Sequence, residues 1–186
     1  MKCAILFLLG ITATLGANQV WSRQADDPEL AKIYKADQDD RTPVKGKLDW
    51  EKIGPRDEKR LARIKEILAA DGLKTAKDYS RAAMVLQHSS IPDDYLLCHE
   101  LCVIAVSLGD KDAMWLAAAS EDRFLMNIKM PQRFGTQYSS GPDGVFSLYK
   151  VGGNTSDSIR KKFKTPTLDE AKLRVKEINK QFGGGG

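Results

Sequence analysis

The 186-residue sequence predicts a mainly α protein, a compact bundle of five to six helices packed as antiparallel pairs, with a small β-hairpin near residues 133–151. Apolar residues recur at spacings of three and four through most of the chain, which is the period of an amphipathic helix. Capping residues stand where these stretches begin, and glycine or proline stands where they end. After Pro131 the apolar residues alternate instead, and this period is typical of short strands.

The N-terminal segment is predicted to be a secretory signal peptide. Residues 1–17, MKCAILFLLGITATLGA, place one lysine before an uncharged apolar run and end in small residues that suit signal-peptidase cleavage. A membrane anchor is the alternative, but the apolar run is shorter than the roughly 20 residues that span a bilayer. We therefore expect a secreted or periplasmic protein with no stable membrane anchor after cleavage.

The rest of the chain is expected to form one helical domain. Residues 18–26 are predicted to be a flexible lead-in, residues 27–182 the domain, and residues 183–186 a disordered glycine tail. The sequence has 29 basic and 25 acidic side chains in mixed order, a net charge of +4. Nucleic-acid-binding proteins concentrate their basic residues on one face, so we expect no nucleic-acid partner. These features leave the oligomeric state open.

The first two predicted helices lie on either side of a loop. Asp27 followed by Pro28 is typical of a helix N-terminus. The residues 42–55 contain Thr-Pro, Lys-Gly and Gly-Pro and are predicted to be a loop. Trp50 within it is expected to anchor the loop to the core. The second helix is predicted over about 56–70.

Three further helices are predicted in the middle of the chain. Thr75 with Asp78 forms a capping box, and the helix that it begins is expected to end near His88. The next helix, over 92–108, is apolar nearly all round and is expected to lie at the centre of the fold. The dipeptide at 109–110, Gly-Asp, then reverses the chain into an antiparallel partner helix.

The C-terminal part of the domain is predicted to contain the hairpin and one more helix. The segments RFGTQY and VFSLYKV resemble strands, and the turn SSGPDG separates them. Thr167 with Glu170 forms a second capping box, which begins the last amphipathic helix.

The cysteines and histidines predict neither a disulfide nor a metal site. Cys98 and Cys102 stand four apart in one predicted helix, where disulfide geometry is unfavourable, and are interpreted as small core residues. The segment CHELCV places Val103 where the helix of a zinc protease has its second histidine. We therefore expect no metal and no cofactor.

Three polar residues, His88, His99 and Asp122, occupy helix positions where the pattern predicts apolar side chains. Asp122 falls in line with Trp115, Ala118 and Met126, and His99 falls among apolar residues of the preceding helix. Both lie at similar distances from the chain reversal, so an antiparallel pair is expected to join His99 and Asp122 by a hydrogen bond. The carboxylate would then fix the imidazole tautomer. A purely structural core pair is the alternative interpretation.

Four short motifs resemble a family of bacterial, often secreted, proteins of unknown function. They are DQDDR at 37–41, LQH at 86–88, DRFL at 122–125 and PQRFGTQ at 131–137. The resemblance implies that the motif residues are characteristic of the family: Asp37, Gln38, Arg41, Gln87, His88, Asp122, Arg123, Gln132, Gly135, Thr136 and Gln137. No established activity accompanies this family.

One residue departs from the pattern of the family. Lys129 stands where these relatives usually have glycine, which would end the helix. We therefore expect Pro131 alone to stop the helix in this chain.

Two functions and one structural alternative follow from these residues. The first is binding of a small polar or anionic ligand, or of a peptide, with contacts from Asp37, Gln38, Arg41, Gln87, Arg123, Gln132, Thr136 and Gln137. The second is metal-independent hydrolysis, with His99 or His88 as a general base that Asp122 orients and Arg123 as the group that stabilises negative charge. The third is a polar cluster that only specifies the fold.

Overall fold

The structure, a computed structural model, describes residues 24–42 and 48–182. The predicted signal peptide, most of the predicted lead-in and the glycine tail lie outside these residues. The described residues form seven helices and one two-stranded antiparallel sheet, which confirms the mainly α class with a small hairpin. The elements are α1 (Pro28–Arg41), α2 (Trp50–Ala69), α3 (Ala76–Leu86), α4 (Pro92–Ser107), α5 (Ala113–Asn127), β1 (Tyr138–Ser140), β2 (Phe146–Leu148), α6 (Asp157–Lys162) and α7 (Leu168–Phe182).

Helix α2 begins earlier than the sequence predicts. The Asp49 side chain accepts the N–H of Lys52 and caps a helix that starts at Trp50. Pro55 therefore lies inside the helix, where it removes one backbone hydrogen bond near the N-terminus. Trp50 is 62% exposed, so the prediction that its side chain anchors a loop to the core is wrong.

Helix α4 packs against α3 on one side and α5 on the other, as expected for the central helix. Its buried face belongs to the hydrophobic core and carries Cys98, Leu101, Cys102 and Ala105. Its opposite face is exposed and still apolar, with Leu96, Val103, Ile104 and Leu108. Within residues 24–42 and 48–182, no helix combines the length and the apolar character that crossing a membrane requires.

The hairpin and the last helix form one packed unit. Strand β1 pairs antiparallel with β2, and Tyr138 stands opposite Leu148. The prediction of a strand over 133–138 is wrong except at its last residue, because backbone N–H groups of this segment bind a side chain of α5 instead of a partner strand. Asn179 of α7 hydrogen-bonds both the N–H and the carbonyl oxygen of Phe146, so the last helix packs on β2. The short helix α6, which Ser156 caps, is absent from the predicted elements.

Candidate functional site

Asp122 is fully buried on α5 and organises the loop that follows this helix. Its Oδ1 accepts the N–H groups of Arg133, at 2.7 Å, and Phe134, at 3.0 Å. Its Oδ2 accepts the N–H of Thr136 at 3.0 Å and the Thr136 hydroxyl at 2.8 Å. Asp122 forms no ion pair with any residue that the structure describes. Donors from a single loop therefore satisfy both of its carboxylate oxygens.

The predicted hydrogen bond between His99 and Asp122 is wrong. His99 Nδ1 lies 2.8 Å from the carbonyl oxygen of Ala117, and Nδ1 carries the proton because a carbonyl only accepts. Helices α4 and α5 do pack together, but His99 reaches α5 five residues before Asp122, about 7 Å along the helix axis. Asp122 faces the loop instead because the loop supplies its hydrogen-bond donors.

Gln132, Thr136 and Gln137 form the frame of the same loop. The fully buried Gln132 amide donates to the carbonyl oxygens of Gln137, at 2.9 Å, and Tyr149, at 2.8 Å. Its Oε1 accepts the N–H of Gln137 at 2.9 Å. Gln137 Nε2 donates to Ala119 of α5. Each of these side chains, which the sequence predicts as ligand contacts, therefore has partners within the protein.

Helix α5 ends in a Schellman turn at Lys129, and the prediction that Pro131 alone ends it is wrong. The N–H of Lys129 donates to Met126, and the N–H of Met130 donates to Leu125. Lys129 has a φ of +64°, in the left-handed region. The lysine adopts the conformation that suits glycine there, at a cost of about 1 kcal/mol.

Arg123 of α5 is partly buried and reaches the end of α3. Its Nη1 donates to the backbone carbonyl of Gln87, at 2.7 Å, and to the Gln87 side-chain oxygen, at 3.0 Å. Its Nε donates to Gln137 at 3.2 Å. These acceptors are uncharged, so they hold the guanidinium without neutralising it. Burial lowers the pKa of Arg123 below its ordinary value, and repulsion from Arg41 acts in the same direction.

The lack of a carboxylate partner distinguishes Arg123 from comparable arginines. Five arginines within residues 24–42 and 48–182 are buried or partly buried: Arg41, Arg60, Arg81, Arg123 and Arg160. The other four each have a carboxylate oxygen within 3.0 Å. Arg123 forms no ion pair with a described residue, and the rest of the sequence contains no Asp or Glu. Arg123 is therefore a desolvated cation that no carboxylate side chain neutralises.

Asp37 of α1 is as buried as Asp122, but its neighbours are charged. Arg41 Nη1 lies 2.8 Å from its Oδ1, and the Gln38 amide donates to its Oδ2 at 2.8 Å. His88 Nε2 lies 3.3 Å from the same Oδ2. The protein therefore does contain an imidazole paired with a carboxylate, but the pair joins α1 to the turn after α3.

Charged side chains extend this arrangement between α1 and α2. Asp57 accepts from Arg41 at 2.5 Å and from Arg60 at 2.9 Å, and Asp40 accepts from Arg60 at 2.8 Å. Burial by itself would raise the pKa of Asp57, but these hydrogen bonds outweigh it, and the pKa lies below its ordinary value. The same balance lowers the pKa of Asp40. We call Asp37, Asp40, Arg41, Asp57 and Arg60 the α1–α2 ion cluster.

A surface cavity of about 480 Å³ opens beside this cluster, and we call it the His88 cavity. Its walls come from α2 and from the connection between α3 and α4, and they include His88, Ser89 and Asp94. The Ser89 hydroxyl donates to Asp94 at 2.5 Å, and Lys65 also pairs with this carboxylate. Ser89 is therefore held as a structural donor. The N–H of Ser90, also in the wall, makes no hydrogen bond with a described residue.

The residues predicted for the site separate into two groups. Asp122, Gln132, Thr136 and Gln137 hold the loop, whereas Asp37, Gln38, Arg41 and His88 meet beside the cavity. Gln87 and Arg123 connect the two groups, and His99 belongs to neither. Sequence reasoning missed Asp57 and Arg60. Their spacing of three, with opposite charges, is the signal that could have identified them.

The assignment of function rests on the geometry of the site, since the described residues show no metal-binding group and the comparisons give no relative. Residues 24–42 and 48–182 contain no group of three or more side chains placed to hold a metal ion. Comparison with family models, curated proteins and solved structures gives no match to this chain. The resemblance to a bacterial family stays a prediction.

Proposed function

We propose that the protein binds a small ligand through an anionic group, a carboxylate or a phosphate, at Arg123. The proposal rests on Arg123, which alone among the buried and partly buried arginines that the structure describes lacks a carboxylate partner. Moving a guanidinium out of water costs free energy, and an anion that arrives with the ligand would recover it. The planar fork of arginine matches carboxylates and phosphates.

The surroundings of Arg123 support binding rather than a purely structural role. Gln87 and Gln137 hold Nη1 and Nε in place, while Nη2 makes no hydrogen bond with the described residues. Arg41 lies near enough for its charge to repel that of Arg123. An anion beside Arg123 would relieve this repulsion. The hydrogen bonds that hold the loop to Asp122 and Gln132 also position Gln137, and Gln137 in turn positions the guanidinium of Arg123.

The test uses inorganic phosphate and acetate as probes. We expect either anion to raise the unfolding temperature of the wild-type protein in a saturable manner at constant ionic strength, because a ligand that binds only the folded state stabilises it. Arg123→Met should abolish the response. Arg133→Met is the matched control, since Arg133 is exposed and already pairs with Glu121. It should respond as wild type does.

Calorimetric titration of the same three proteins distinguishes binding from a general salt effect. Chloride at equal ionic strength replaces the probe in the reference titration. Equal responses of wild type and Arg123→Met to both probes, or no response in either protein, would overturn the proposal. A response that only Arg123→Met loses supports it.

A further inference from the structure

We infer that His88 and Asp37 form a general-base pair facing the His88 cavity, and that the protein hydrolyses a carboxylic ester that carries a second, anionic group. The inference rests on the proposed function in one respect, since Arg123 would bind that anionic group. The pairing itself is independent of Arg123. It follows from the placement of the imidazole between a buried carboxylate and a cavity.

The carboxylate of Asp37 favours one of the two neutral tautomers of His88. Asp37 receives donors from Arg41 and Gln38, so its carboxylate acts as an acceptor. His88 Nε2 is buried and lies 3.3 Å from Oδ2 of this carboxylate, a charge contact without hydrogen-bond alignment, and Nε2 has no hydrogen-bond partner among the described residues. A lone pair on Nε2 would lie against the negative carboxylate, so the contact favours the proton on Nε2 and the lone pair on Nδ1. Distances of this length commonly shorten when a substrate binds.

The two histidines of the chain are thus held in opposite tautomers. His99 carries its proton on Nδ1, which donates to Ala117. His88 Nε2 is buried, so the exposed part of its ring belongs to the other ring atoms. The ring of His88 lines the cavity, whereas that of His99 does not. Of the two, only His88 combines an adjacent carboxylate with access to a ligand-sized space.

The charges around the cavity decide the class of substrate. Asp37 is the carboxylate beside His88 Nε2. The charged groups of the cavity wall are Asp57, Glu58 and Lys65 from α2 and Asp94 from α4, and Asp57 is also bonded by Arg41 and Arg60. Three carboxylates in the wall disfavour an anionic reacting centre such as a phosphoryl group. A neutral ester carbonyl is compatible with this wall. The anionic group of the substrate would lie outside the cavity and bind Arg123.

The reaction consumes water and forms an acid and an alcohol. As the water oxygen bonds to the ester carbon, His88 Nδ1 takes a proton from it, and the carbonyl electron pair moves onto oxygen. The N–H of Ser90, in the connection into α4, is a free donor in the described wall and would donate to this oxyanion. When the bond to the alkoxide breaks, the imidazolium returns the proton to the leaving oxygen.

Two matched esters test the inference: 4-nitrophenyl hydrogen succinate, which carries a carboxylate, and 4-nitrophenyl butyrate, which does not. We expect the wild-type protein to hydrolyse both and to favour the succinate by about tenfold in kcat/KM. His88→Gln should lower both rates by about 100-fold or more, in the range typical of a lost general base. His99→Gln is the control and should change them less than about twofold. Arg123→Met should remove only the preference for succinate.

Nitrogen-15 spectra of histidine-labelled protein test the pair without relying on a substrate. His88 should show the Nε2–H tautomer and His99 the Nδ1–H tautomer in the wild type. Asp37→Leu, which has no acceptor oxygen, should lose the first signature and keep the second. Circular dichroism of every variant confirms folding.

The outcomes separate the two proposals. Absence of hydrolysis of both esters, equal rates for His88→Gln and wild type, or an Nδ1–H tautomer at His88 would each overturn the inference, and the response to phosphate would still decide the function proposed for Arg123. Hydrolysis that depends on His88 but shows no charge preference would support the base and contradict the anion site.

Discussion

Of the carboxylates that are completely buried among the described residues, Asp122 on α5 and Asp37 on α1 are satisfied in opposite ways, while Asp78 belongs to the capping box of α3. Asp122 is surrounded by backbone N–H groups and one hydroxyl, all from the loop that follows its own helix. Asp37 is surrounded by Arg41, Arg60 and His88, which come from α1, α2 and the turn after α3.

The difference in neighbours distinguishes a carboxylate that stabilises the fold from one that can take part in proton transfer. The donors around Asp122 are uncharged and lie on one loop. They fix the backbone path of that loop, and none of them is placed to transfer a proton. An imidazole beside a carboxylate and a cavity has a proton to transfer and a space in which to meet a substrate. Loss of the Asp122 carboxylate should therefore affect stability most, and loss of the Asp37 carboxylate should affect the reaction most.

The largest effect on stability is expected from Asp122→Ala. The change leaves three backbone N–H groups and the hydroxyl of Thr136 without an acceptor in a buried loop, and each such group costs about 1–3 kcal/mol unless water replaces the carboxylate. We expect a loss of about 3–4 kcal/mol in the free energy of unfolding, measured by urea titration. Asp169→Ala, on a side chain that is 89% exposed, is the control and should change little. A loss below about 1 kcal/mol would contradict the assigned role.

A smaller loss is expected from Asp37→Asn. The amide keeps an acceptor oxygen, and Arg41 and Arg60 keep their hydrogen bonds to Asp57. We expect a loss of about 1–2 kcal/mol, measured in the same way. Asp39→Asn on the same helix is the control, because Asp39 is exposed. If Asp37→Asn were more destabilising than Asp122→Ala, the contrast between the two carboxylates would fail.

Acid should weaken the α1–α2 ion cluster and leave a measurable difference in Asp57→Asn. The pKa values of Asp40 and Asp57 are lowered in the folded state. Their contribution to stability is therefore present above the unfolded-state pKa, about 3.9, and is lost as pH falls through the lower folded-state values. Urea titrations from pH 6 to pH 2 should show a smaller decline for Asp57→Asn than for wild type. Parallel declines would contradict the lowered pKa of Asp57.

The smallest effect concerns the turn that leads into the Asp122 loop. Lys129→Gly should raise the free energy of unfolding by about 1 kcal/mol, because glycine adopts a positive φ without the steric cost of a side chain. Lys172→Gly, inside α7, is the control and should have the opposite sign. Urea titration measures both. A destabilising Lys129→Gly would mean that the lysine side chain has a stabilising contact of its own.

The sequence identified many of the right residues but not their partners. Asp122 and His99 interrupt apolar helix faces, and this pattern correctly indicated that polar groups are enclosed. The pattern could not tell that a loop eleven residues along the chain would turn back and supply the donors for Asp122. Nor could it place His88 against Asp37, since the two are far apart in sequence and belong to different elements.

Helix boundaries could be predicted from the sequence where a capping residue determines them. The capping boxes at Thr75 and Thr167 form as predicted. Prediction failed at α2, where Gly54-Pro55 has the composition of a loop but the cap at Asp49 extends the helix through it. It failed again at Lys129, where a Schellman turn tolerates lysine.

By itself, the sequence determined the mainly α class, the hairpin and most helix boundaries, because periodicity and capping act over a few residues. Only the tertiary structure decided which buried carboxylate faces a loop and which faces an imidazole and a cavity. The reason is physical: a buried polar group takes whichever donors the packing of distant elements brings within about 3 Å, and that packing is not a local property of the chain.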